Sequence, residues 1–191
     1  FLRAVEAAGG RVVALQTYDR TASDVSDAVN RMAKDAPFDA VLIADSAGTA
    51  ATAVPLLRRM SPNAKVLGTE LWNSDNGVSA RPALNGAWFA SVSNGLYRQF
   101  AAKYRARFGT APYRLASLGY DAVLLTARIS RDWKVGAAFP ETRLRSGEGY
   151  AGIDGPFRFG RDGVAERALE VQEIRNGSTT VVSPAPANFG R

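Results

Sequence analysis

Short apolar runs alternating with stretches of helical period restrict this chain to one class of fold. Arg11 to Leu15 (RVVAL) and Ala40 to Ala44 (AVLIA) each read as a buried strand, and Lys65-Val-Leu-Gly68 begins a third strand. Between the first two, Ser23 is the expected N-cap of a helix with Val25, Val29 and Met32 on one face, running through Lys34 and ended by Pro37. Between the second and third, Ser46, Gly48 and Thr49 open a helix through Ala53, Leu56, Leu57 and Met60, with Pro55 in its first turn or kinking it. Ser61-Pro62-Asn63 closes that helix. Strand–helix alternation with short connections means βαβ units and a parallel sheet. Such sheets bind ligands at the carboxyl ends of their strands, here the loops Gln16 to Ala22, Asp45 to Thr49 and Thr69 to Asn76.

The second half has a different pattern. Trp72 to Leu84 is polar and turn-rich, and Gly86 to Val92 resembles another strand. Phe100, Tyr104 and Phe108 give a helix from Leu96, capped by Gly109 and followed by Pro112; Leu115 to Ile129 gives a second, more apolar helix. Arg131 to Gly149 reads as loop with one short helix. A β unit follows. Asp154-Gly155-Pro156 is a turn in which Asp154 is expected to cap its own backbone, and Phe157-Arg158-Phe159 alternates as a half-buried strand does. After the turn Gly160 to Gly163, Leu169, Val171 and Ile174 mark a strand, Asn176-Gly177 a hairpin turn, and Ser178 to Ser183 the return strand. Ser183-Pro-Ala-Pro186 reads as an extended strap.

Composition narrows the chemistry. The 191 residues contain no Cys and no His, which removes disulfides, thiol and Ser-His-Asp catalysis, and the usual His-bearing metal sites. No cofactor or metal motif stands out, and an enzyme would have to work with carboxylates, Lys, Ser or Tyr alone. Asp154, Asp162 and Glu166 lack the spacing of a calcium loop. The net charge is +6, but the basic residues are scattered, as on a solvated surface, and no nucleic-acid partner is expected. No apolar run approaches the roughly 20 residues of a membrane span. The chain opens with Phe1 rather than Met, and Leu2, Val5 and Ala8 already have helical spacing, so it reads as starting inside an element of a longer protein.

The order of these pieces resembles the second half of a type I periplasmic binding protein. The resemblance rests on Thr17-Tyr-Asp-Arg20, Asp24, Asp39-Ala-Val-Leu-Ile43, Leu67-Gly-Thr-Glu70, Phe100-Ala-Ala-Lys-Tyr104, Arg107-Phe-Gly-Thr-Ala-Pro112, Tyr120-Asp-Ala-Val123 and Gly155-Pro-Phe-Arg-Phe-Gly-Arg-Asp-Gly163. Within that superfamily, Gly152 to Phe159, Glu166 to Val171, Ser183 to Phe189 and Pro112 to Asp121 are most similar to the penicillin-binding protein activators of Gram-negative bacteria. The resemblance implies an α/β fold with a parallel sheet flanked by helices, a C-terminal β-hairpin unit, and a two-lobed architecture of which this chain carries only part. Residues 1–92 would belong to the second lobe, residues 93–149 would be helices of the first, and residues 150–191 would cross back. It further implies a non-enzymatic periplasmic protein, attached to the membrane through a lipid anchor upstream of Phe1, whose partner is a peptidoglycan synthase. The alternative is the substrate-binding protein of an ABC transporter, with an amino acid or other small polar solute and a permease as partners.

The candidate site residues lie on the strand-end loops. Glu70 occupies the position at which amino-acid-binding relatives hold the ligand ammonium; its other reading is a loop salt bridge or a cap. The same relatives often carry an aromatic ring where this chain has Ser46, and its loss weakens the amino-acid reading. Ser46 and Thr49 could hydrogen-bond a ligand or cap the helix they precede. Tyr18 and Asp19 are candidates for ligand contact from the first loop. Trp72 is a candidate stacking platform for a sugar or peptide, or a seal for its loop. Tyr120-Asp121 is expected to join two helices or the two lobes rather than to bind.

Overall fold

The computed structural model describes residues 1–19, 21–32, 34, 37–75 and 77–189, and of Ala22 the backbone only. Arg20, from the Thr17-Tyr-Asp-Arg20 stretch, and Asn76, the expected end of the third loop, lie outside the described residues. The contacts divide the chain into two units: Phe1–Phe89 with Gln172–Thr180, and Ala90–Val171 with Val181–Arg191. The expected crossing segment 150–191 is thereby shared between both units.

The first unit opens with α1 (Leu2–Ala7), which buries no residue, and continues with α2 (Ala22–Met32), β1 (Ala40–Ile43), α3 (Ala47–Met60) and β2 (Lys65–Gly68). Three 3-10 turns, Glu70–Ser74, Val78–Ala80 and Pro82–Leu84, then lead to β3 (Trp88–Ser91). Strands β1, β2 and β3 pair in parallel, with Ile43 opposite Gly68 and Gly68 opposite Phe89. Val25 and Val29 of α2, Ala50, Val54 and Leu57 of α3, and Ile43, Val66, Phe89 and Ile174 of the sheet share one core with Trp72 and Leu84.

Three expectations for this unit change. Arg11 to Leu15 is not a strand: it joins no ladder, and Leu15 is 73% exposed. An apolar run becomes a strand only where its backbone groups pair with a neighbour's, and none of the described strands is hydrogen-bonded to it. The cap of α2 is Thr21 rather than Ser23. Its hydroxyl accepts the Asp24 N–H at 3.2 Å, while the Asp24 carboxylate accepts the Asp19 N–H at 2.8 Å and so ties the preceding loop to the helix start. Pro55 lies in the interior of α3, which removes the first-turn alternative and leaves the other, a proline inside the helix.

The second unit contains α4 (Gly95–Phe108), α5 (Ala116–Ser130), α6 (Glu141–Leu144) and an antiparallel sheet of β4 (Tyr150–Gly152), β5 (Gly155–Phe159) and β6 (Ala165–Arg167). Gly109, at φ 76, ends α4 in the left-handed conformation that glycine adopts without strain. Leu125 and Ile129 of α5 pack with Tyr150 and Phe157 of the sheet. The Asp154 side chain does not turn to its own backbone, as the sequence led us to expect. It is buried, accepting from the Ser117 hydroxyl at 2.6 Å and standing 2.8 Å from the Arg114 guanidinium, which stacks over Tyr97. Asp121 joins α5 to the antiparallel sheet rather than to another helix: its carboxylate accepts the Ile153 N–H at 2.7 Å and faces Arg167 at 3.5 Å.

Strands β7 (Glu170–Arg175) and β8 (Ser178–Ser183) complete the five-stranded sheet, in the order β1-β2-β3-β7-β8. Asn176 and Gly177 both take positive φ, 46 and 84, as a two-residue type I′ hairpin requires. The pattern of β7 is not the expected one. Its buried residues are Glu170, Gln172 and Ile174, whereas Leu169 precedes the strand and is exposed.

Candidate functional site

The candidate residues of the first unit gather where β1 and β2 end. After β1, Asp45 is buried and its carboxylate accepts the Ser46 N–H at 2.6 Å. Ser46 caps α3: its hydroxyl accepts the Thr49 N–H at 3.1 Å and lies 3.0 Å from the Thr49 hydroxyl. The Ser46 hydroxyl thereby satisfies one N–H of the first turn of α3, whose N–H groups have no preceding helical carbonyl to pair with.

After β2 the chain enters the 3-10 turn Glu70–Ser74. Trp72 is wholly buried, and its indole N–H donates to the Asp45 carbonyl at 2.9 Å. The loop after one strand is thus braced on the loop after its neighbour. A Cβ on Gly68 would lie 2.4 Å from the Trp72 ring, so the glycine of Leu67-Gly68 is the residue that lets the indole lie against the strand. Phe89 packs on the same ring at 6.0 Å between centroids. Enclosed in this way, Trp72 seals its loop and presents no ring face to a ligand. Glu70, in contrast, is exposed in the first position of the turn.

The first loop is held differently. Tyr18 packs half-buried against the core that contains Ile43, Ala47 and Trp72. Arg31 of α2 donates to the Gln16 side chain and to the Thr17 carbonyl, each at 3.1 Å, and Asp19 is exposed beyond them. The structure therefore joins Ser46, Thr49 and Trp72 into one braced group. Glu70 is placed beside that group, and Tyr18 lies on the core beneath it.

Sequence reasoning missed Arg81 and the role of Asp45. Arg81 pairs with Asp75 at 3.1 Å, and its Nη2 lies 4.0 Å from where a Cβ on Gly48 would stand. Nothing local in Ser79-Ala-Arg81-Pro82 signals that approach, which depends on how the 3-10 turns fold back along α3. Among the described residues no cluster of His, Cys, Asp or Glu could hold a metal ion, and no helix is long and apolar enough to cross a membrane.

Comparison with known proteins identifies the framework of this site. The family model described as periplasmic binding protein matches residues 1–179. The chain belongs to the periplasmic binding protein family. A structure from Rhodospirillum rubrum, provisionally described as a branched-chain amino acid ABC transporter, is similar at TM-score 0.71 and 26% identity, over 95% of this chain and 55% of the other. The leucine binding protein LivK of Thermotoga maritima aligns at TM-score 0.60 and 21% identity, over 96% and 54%. The LpoA C-domain of Haemophilus influenzae, a regulator of PBP1A, aligns at TM-score 0.61 and 20% identity, over 94% and 54%. This chain therefore spans about half the length of these binding proteins. No match was found among curated proteins.

The type I fold expected from the sequence is thus confirmed, and the family and its structural neighbours are binding proteins and regulators rather than enzymes.

Proposed function

We propose that this chain is part of a non-enzymatic envelope protein that activates a peptidoglycan synthase by protein–protein contact. The observation that carries this reading is the internal use of the strand-end side chains. Ser46 stands where amino-acid-binding relatives often carry an aromatic ring, and its hydroxyl is engaged in capping α3. Trp72 is engaged in bracing Asp45. A solute site needs polar groups aimed into a cleft with apolar walls; here the exposed Ser46 hydroxyl is engaged by its own helix and the Trp72 ring is enclosed. The similarity to the LpoA C-domain supports the same reading, as does the likeness of the closing segment, Gly152 to Phe159 and Glu166 to Val171, to the activators.

One observation favours a second reading, the substrate-binding protein of an ABC transporter. Glu70 is exposed at the end of β2, where a carboxylate could hold the ammonium of an amino acid. On that reading Tyr18, Asp19, Ser46 and Thr49 would line the remainder of the loop cluster. Titration calorimetry of the whole protein against amino acids and short peptides separates the two. The activator reading expects no binding tighter than about 1 mM. A micromolar solute lost in Glu70→Ala would establish the transporter reading instead.

A further inference from the structure

The net charge of +6 is not shared between the two units. Phe1–Phe89 with Gln172–Thr180 holds ten Lys and Arg against ten Asp and Glu, whereas Ala90–Val171 with Val181–Arg191 holds 14 against eight, the whole excess of six. Such asymmetry points to an extended anionic partner. The charge is densest on α4, where Arg98, Lys103, Arg105 and Arg107 are all exposed and no acidic residue interrupts the helix. Helical spacing sets Arg98 and Arg105 on one flank and Lys103 and Arg107 on the other, with the exposed Gln99, Ala102 and Ala106 between them. Tyr97, Phe100 and Tyr104 lie on the opposite, half-buried face, where Phe100 packs on Tyr120 at 5.2 Å. The basic face therefore points away from the packing of its own unit.

Within the chain these cations gain little. Lys103 and Arg107 are a like-charge pair one turn apart, which destabilises a helix. Arg98 is the fourth residue of α4, at the end where the helix dipole disfavours a cation. Among the described residues none of the four enters an ion pair.

We propose that the outer face of α4 docks on an anionic lipid bilayer. A bilayer offers a plane of phosphates, and long basic side chains on both flanks of a row of small ones reach one plane together. A protein partner draws most of its binding energy from large anchors such as Tyr and Trp, whereas this face centres on Gln99, Ala102 and Ala106. With no large apolar side chain at its centre the contact is shallow, electrostatic and sensitive to salt. It does not depend on whether the protein serves a synthase or a transporter.

Co-sedimentation of the whole protein, produced without any lipid group, with vesicles tests this. On phosphatidylethanolamine vesicles containing about one third phosphatidylglycerol, half of the protein should bind at about 1 mM accessible lipid in low salt. Binding should vanish on phosphatidylcholine vesicles and in about 0.5 M salt. Replacing Arg98, Lys103, Arg105 and Arg107 together by Gln, with circular dichroism matching the wild type, should weaken binding at least about tenfold. Replacing Arg3, Arg11, Lys34 and Arg59, exposed cations of the neutral unit, by Gln lowers the net charge equally and should change binding by less than about twofold. A wild-type protein that leaves anionic vesicles unbound overturns the proposal, including one that binds poly-glutamate or duplex DNA instead. So does equal loss in the two variants, or full binding by the α4 variant.

Discussion

The indole N–H of Trp72 donates to the carbonyl oxygen of Asp45 at 2.9 Å, binding the loop after β2 to the loop after β1. Both partners are buried, so no water replaces the bond when it is lost. Trp72→Phe keeps most of the ring but strands that carbonyl; it should cost about 1–3 kcal/mol in urea unfolding. Trp72→Ala adds a cavity and should cost about 3–5 kcal/mol.

Gly68 tests the same packing from the other side. Its Cβ would stand 2.4 Å from the Trp72 ring, so Gly68→Ala must displace a fully enclosed side chain. Overpacking of this kind costs about 1–3 kcal/mol. A shift in the urea midpoint, with a changed tryptophan fluorescence spectrum, is the expected result.

In the second unit the Arg114–Asp154 pair is mostly enclosed, with side chains 18% and 5% exposed. Breaking a buried pair by removing one partner is costlier than replacing both, because the survivor keeps a charge without its partner. Asp154→Ala and Arg114→Ala should each destabilise by about 3–5 kcal/mol, and the double variant by less than the sum. A double-mutant cycle by chemical denaturation measures the coupling.

The Glu173 carboxylate accepts from Arg175 at 2.8 Å and from the Trp88 indole at 2.7 Å. Those bonds hold its pKa below the ordinary glutamate value of 4.5. A carboxyl with a lowered folded pKa contributes stability that is complete above its unfolded pKa and is lost as pH falls through the folded one. Acid titration followed at the Trp88 indole proton should show that loss below pH 4.5. Glu173→Gln should remove that acid limb.

How far these relationships were legible in the sequence depends on their range. Helix periodicity located α3, α4 and α5, and the Asn176-Gly177 turn followed from the φ values that a two-residue hairpin demands. The Arg11 to Leu15 run failed because strand formation needs a partner that local pattern does not report. At β7 the apolar residues gave the wrong pattern, since Leu169 falls before the strand and Glu170 and Gln172 are the ones buried with Ile174. Asp154 looked like a local turn residue because its partners, Arg114 and Ser117, lie far away in sequence. At the candidate site, the capping by Ser46 was readable from local chemistry, whereas the enclosure of Trp72 required the fold.

On the proposed function, the whole protein works through a synthase partner rather than a cleft solute. The most direct measurement is binding of the whole protein to a purified peptidoglycan synthase from the same organism, with glycan polymerisation and crosslinking rates followed as the protein is titrated in. Saturable binding with a rise in synthase rate is the predicted result. No binding and no change in rate, in a protein that retains its folded circular dichroism spectrum, would contradict it.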